Sequence, residues 1–182
     1  MFRSLTLAAT IIALVVAVPA PAKERPPLLN ASVAVQGSSE GIAPSAPEAV
    51  KERVAKLLAG VEVRATERVR RASWIGCRAV YAWRGYNNPF GGNLFKYFQQ
   101  VSWCSNGYGI YSWSRDRWAE LNGPGWRFDG HVGSSLGGSS IQKHAWTQGS
   151  FAWCGFGFCE SKVPWVSLTV RVDGSYGWNV GG

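Results

Sequence analysis

His131 and His144 are the only two histidines in this chain of 182 residues, and each could act as a general base if a carboxylate oriented it. Asp129, Asp116 and Glu160 are the acids considered for that role, although nothing in their spacing brings them to either imidazole. Glycoside hydrolysis would need two facing carboxylates, drawn from Asp116, Glu120, Asp129, Glu160 and Asp173. Asp173 precedes Gly174 in a hairpin signal, and Asp116 sits between Arg115 and Arg117 in a charged turn, so both have a structural explanation. The run Gly133-Ser134-Ser135-Leu136-Gly137 spells G-x-S-x-G, which in hydrolases holds a serine on a turn between strand and helix. Here Gly138, Ser139 and Ser140 follow, and no acid lies between Ser135 and His144. The segment therefore reads as a flexible Gly/Ser loop joining two strands. Zinc sites usually show two close Cys or His pairs, and only Cys154 and Cys159 are close, so no metal and no cofactor are expected.

Aromatic rings are the other source of chemistry. All ten Trp and all six Tyr lie from Trp74 onward. Rings on a sheet face or loop can stack on the apolar side of a sugar. Trp113, Trp118, Trp146, Trp165 and Trp178 are the candidate ligand-binding residues, interleaved with Arg115, Arg117, Gln148, Lys162 and Asn179. Most Trp of a small domain are core, which leaves about two or three for a surface. Stacking on nucleic-acid bases uses the same chemistry. From residue 74 onward, however, nine Lys and Arg stand against five Asp and Glu, a net of +4, too mild an excess for a polyanion footprint. No nucleic-acid partner is expected.

The elements that would position these residues follow from composition and period. Arg3 and the uncharged apolar run 5–18, closed by Ala20-Pro21-Ala22, have the form of a cleaved signal peptide over 1–22, and the run is too short to span a bilayer. Residues 23–46, rich in Pro, Ala, Ser and Gly without an aromatic, read as a flexible linker or pro-segment. Val50, Val54, Leu57, Leu58, Val61, Ala65 and Val69 then recur at helical steps, predicting an amphipathic helix over 47–72 with Ser45 as its N-cap. Its basic face admits contact with an anionic membrane, but a stripe of Val and Ala suits that poorly, and packing against the domain or partial disorder is expected instead. Limited proteolysis is expected to trim the chain to a core beginning near Arg71.

After residue 72 the period becomes two. Val166, Leu168, Val170 and Val172 alternate with polar or exposed positions, and Trp126, Phe128 and Val132 do the same. Further runs lie at 75–84, 94–104, 108–113, 143–146 and 150–154, separated by Gly, Asn and Pro turn signals. The expectation is an all-β domain over 73–182, an antiparallel β-sandwich or small barrel of about seven to eight strands. Four cysteines in an exported domain imply disulfides. Of three pairings, Cys77 with Cys104 and Cys154 with Cys159 are favoured, because the first would join neighbouring strands and the second would close a short loop.

Leu94-Phe95-Lys96-Tyr97, Trp103-Cys104, Gly125-Trp126 with Gly130, Phe151 with Cys154 and Cys159, and Pro164-Trp165-Val166 leading to Asp173-Gly174 form a pattern. It resembles a group of uncharacterised exported bacterial proteins, mainly actinobacterial. That resemblance covers about half the chain; it implies a secreted, Trp-rich β-domain with two disulfides and brings no activity, ligand or catalytic residue. The functional expectation is a secreted, non-catalytic binding or surface-interaction domain that recognises carbohydrate or cell-envelope material through exposed aromatics. The alternatives are a small secreted hydrolase using His131 or His144 with a carboxylate, and a secreted inhibitor or toxin acting by protein contact.

Overall fold

A computed structural model describes residues 32–59 and 74–182. The signal-peptide reading, the first part of the linker and residues 60–72 of the expected helix lie outside them. Nine strands form two antiparallel sheets with one short helix, an all-β sandwich. The first sheet has the order β1-β2-β3-β4: β1 Val33–Glu40, β2 Ile75–Asn87, β3 Asn93–Asn106 and β4 Ile110–Leu121. The second has β5 Trp126–Gly138, β6 Gln142–Gly155, β8 Trp165–Arg171 and β9 Tyr176–Gly181 in the order β5-β6-β8-β9, with β7 Phe158–Lys162 also paired to β6. Gly149 N–H donates to the carbonyl of Pro164 where β6 passes from β7 to β8 (2.9 Å).

Alternation turns one face of each sheet inward. Val80, Phe95, Tyr97, Val101 and Trp103 of the first sheet meet Phe151, Val166, Leu168 and Val170 of the second, each at most 1% exposed. Phe95 and Phe151 stack across the two sheets with ring centroids 4.0 Å apart. At about 25 cal/mol per Å2 of apolar surface, each such ring stabilises the fold by roughly 2–3 kcal/mol.

The outer face of the first sheet is covered as well. Helix α1, Glu48–Ala59, lays Val50 and Val54 on Ala79, Phe98 and Trp118, forming a second apolar core with Ala43 and Ala46. Gln100, wholly buried, ties the approach to the helix by accepting from Ala43 N–H (3.3 Å) and donating to the Gly41 carbonyl (3.4 Å). The first helical carbonyl is that of Pro47, which accepts from Lys51 N–H, so Pro47 rather than Ser45 stands at the cap.

Three expectations need correction. The supposed linker contains β1, whose eight residues pair in register with β2 from Val33 opposite Asn87 to Glu40 opposite Val80. It is an edge strand held by backbone hydrogen bonds, and its weak apolar alternation left no sign of it in the sequence. The Gly/Ser run 133–137 is no loop but part of β5, paired with β6 as far as Gly138 opposite Lys143. Gly133 serves close approach, since a Cβ there would lie 2.8 Å from the Trp146 ring. The strand count is nine rather than seven or eight: the runs 143–146 and 150–154 are a single strand, β6, and β1, β7 and β9 escaped the alternation test.

Both favoured disulfides are present, each between residues directly opposite on neighbouring strands: Cys77–Cys104 on β2 and β3, Cys154–Cys159 on β6 and β7.

Candidate functional site

The candidate residues fall into separate places. His131, on β5, is turned toward the first sheet where it meets Tyr97. Tyr97 Oη lies 2.8 Å from His131 Nδ1 and 2.8 Å from Thr147 Oγ1, and Arg117 Nη1 donates to the same Thr147 oxygen (3.2 Å). Arg117 occupies one lone pair of Thr147 Oγ1, and its second lone pair and its proton let either hydroxyl donate between Thr147 and Tyr97. In the imidazole tautomer with its proton on Nε2, Tyr97 donates to the Nδ1 lone pair. Burial, then Arg117 and Arg115, lower the His131 pKa below 6.5, so the ring is held neutral. Burial raises the Tyr97 pKa, which keeps the phenol a donor. In that tautomer the neutral imidazole offers solvent a donor and no free base.

His144 lies on the outer face of the second sheet, with Nδ1 3.0 Å from Thr169 Oγ1. Among the described residues neither histidine is hydrogen-bonded to a carboxylate. Asp129 is paired with Arg127 at 2.8 Å, Asp116 with Arg53 at 2.7 Å and Glu160 with Lys162 at 2.9 Å. Asp173 accepts from the Ser175 N–H (2.9 Å) and hydroxyl (2.7 Å) in the β8–β9 turn, bonds that lower its pKa. Asp116 and Glu120 share one face of β4, but four residues of strand separate them by about 14 Å, beyond the roughly 9.5 Å that carboxylate pairs in glycosidases span. Among the described residues no group of three or more His, Cys, Asp or Glu could hold a metal.

The five candidate tryptophans divide by face. Trp118 is 7% exposed and stacks on Phe98 (5.1 Å, 4°) beneath α1, and Trp113, opposite buried Trp103, packs against the main core. These two are structural. Trp178 stands opposite Leu168 on the edge strand β9, 39% exposed and on the side away from the outer face. Trp146 and Trp165 alternate with buried neighbours and face outward together, half-buried, on the second sheet. Trp146 lies over Gly133 of β5, and Trp165 lies over Gly181 of β9, where a Cβ would come within 2.7 Å of its ring. Each ring thus reaches over a glycine of the neighbouring strand and stays partly exposed. Trp146 is opposite Ser167 and Trp165 opposite Gln148; His144, Thr169, Ser135 and Asn179 complete the same face.

A second aromatic feature escaped the sequence reading. At one end of the sandwich, Leu94, Pro124, Trp126, Trp153, Phe90 and Phe156 line most of a cleft of about 750 Å3, with Glu160 at its wall. Phe90 is 85% and Phe156 81% exposed, each at a hairpin tip. Phe156 holds φ of 51° in the two-residue turn closed by Cys154–Cys159, a conformation unusual for a bulky residue. The sequence signal was the Phe156-Gly157 turn itself, which had been read only as a closed loop.

Fold and faces therefore define a disulfide-stapled β-sandwich that presents aromatic surface. No protein-family model, curated protein or solved structure matches the chain.

Proposed function

We propose that this protein is an exported, non-catalytic binding domain that holds glycan of the cell envelope on the Trp146–Trp165 face. The observation that carries the reading is the pair of rings laid over glycines on a sheet face that no other described element covers, among hydroxyl and amide groups. Stacking supplies apolar area, and Gln148, Ser135, Ser167, Thr169 and Asn179 supply donors and acceptors for sugar hydroxyls. The rings reach in opposite directions across four strands, and the glycines beneath them, Gly133 and Gly181, lie three strand spacings, roughly 14 Å, apart. An oligosaccharide can bridge that distance and a monosaccharide cannot. Two disulfides are consistent with an oxidising compartment, and among the described residues no helix is long and apolar enough to cross a membrane.

Retention of the mature protein on insoluble polysaccharides and peptidoglycan, beside anionic vesicles, tests this. W146A and W165A are each expected to weaken retention about tenfold, equivalent to ~1.4 kcal/mol, while W178A leaves it unchanged. Monosaccharides should fail to compete. Wild-type retention by the W146A/W165A double variant, no binding to any polymer, or a defined hydrolase turnover would each overturn the reading. The exposed Phe90 and Phe156 favour a second reading, contact with another protein at the end cleft. It requires that F90A/F156A abolish partner capture and leave glycan retention intact.

A further inference from the structure

Arg115 and Arg117 of β4 stand opposite Val101 and Gln99 of β3, on the strand face turned toward the second sheet. Inward positions in a sandwich are ordinarily apolar, and a charge drawn into them needs a partner. Neither guanidinium has a salt bridge among the described residues. Asp116, between them, points to the opposite face and is engaged by Arg53. Arg115 Nη1 is closed off from water without a hydrogen bond, and so is Oε1 of Gln99, a side chain wholly buried beside them. Gln99 spends its amide N–H on the Ala145 carbonyl (2.9 Å).

The two arginines also repel one another. Burial, then Arg117, lower the Arg115 pKa, and burial followed by both guanidiniums lowers that of His131. Concentrated positive charge without a counter-charge is destabilising by itself. β4 and β5 are edge strands of different sheets that do not pair with each other, so no hydrogen-bonded ladder closes the margin between them. Farther along β5, Ser134 and Leu136 face inward yet remain exposed.

We propose that this β4–β5 margin is a binding site for a compact oxyanion, a carboxylate or phosphate group, held by the Arg115 and Arg117 guanidiniums beside Tyr97, Thr147 and His131. Two planar forks match the geometry of such a group, and its charge would relieve the repulsion between them. The site lies on the inner face of the second sheet, opposite the Trp146–Trp165 face, and does not depend on the glycan reading.

The mature, oxidised protein is titrated with inorganic phosphate, acetate or chloride at constant ionic strength, following the melting temperature and the arginine Nε and His131 resonances. A saturable response to phosphate or to acetate, absent with chloride, is expected, and which of the two saturates at lower concentration identifies the group. R115Q/R117Q removes two uncompensated charges, so it should melt in chloride at or above the wild-type temperature and lose the response. R115K/R117K keeps the charge without the fork and should raise the apparent Kd about tenfold or more. The proposal fails if no anion gives a saturable shift of the Arg115, Arg117 and His131 resonances, or if R115Q/R117Q responds as the wild type does.

Discussion

Burial, then the charges of Arg117 and Arg115, make the imidazolium form of His131 costly in the folded state. The unfolded chain has no such restriction and binds a proton near pH 6.5. Because the folded pKa is depressed, the stability contributed by neutral His131 is fully present above 6.5 and is lost as pH falls through the lower, folded value. Asp173, also depressed, acts only below the ordinary carboxylate value of 3.8, in a separate window. The melting temperature of the wild type should therefore fall between pH 7.5 and pH 5, and that of H131Q should fall less. Parallel curves for the two proteins would show that the burial and the two arginines around His131 do not depress its protonation.

Among the elements, α1 follows the packing side of its expectation and argues against trimming of the chain to Arg71. Val54 is wholly buried, Val50 nearly so, and Arg53 reaches Asp116 on β4 at 2.7 Å. Small apolar residues on the helix suit this position because the sheet beneath already presents the large rings, Phe98 and Trp118. V54A should cost about 2 kcal/mol in denaturant unfolding, the transfer of two methyl groups plus a residual cavity. Limited proteolysis should leave Val33–Ala59 intact in the wild type, in contrast to trimming down to Arg71. V54D, which sets a carboxylate against Phe98 and Trp118, should open Glu48–Ala59 to cleavage, and equal protection of both proteins would count against the second core.

The whole molecule is a layered body in which each sheet carries one disulfide and neither disulfide links the two sheets. Covalent bonds thus hold neighbouring strands, and the apolar core around Phe95 and Phe151 holds the layers. Cys77–Cys104 closes a loop of 27 residues in sequence separation and Cys154–Cys159 one of five. The chain-entropy estimate gives about 3.5 and about 2 kcal/mol for these closures. Denaturant unfolding of C77A/C104A and C154A/C159A should reproduce that order. A larger loss for C154A/C159A would mean that the strained turn at Phe156 depends on its bridge more than the first hairpin does.

The sequence by itself determined the local features: the period-two runs of β2 through β6 and β8, the turns between them, the amphipathic start of α1 and both cysteine pairings. Each depends on neighbours along the chain or on adjacent strands joined by short turns, so side-chain alternation and turn chemistry are enough to read them. Strand β1 was not readable in this way, because its order comes from hydrogen bonds to β2, about 40 to 54 residues away. The roles of the tryptophans were hidden for the same kind of reason. Trp118 and Trp146 both point away from the main core, and alternation cannot distinguish them. Only the tertiary structure decides that α1 covers the first while the second lies open over Gly133, and that two arginines of β4 meet a tyrosine and a histidine from other strands, because coverage and convergence are properties of distant segments brought together.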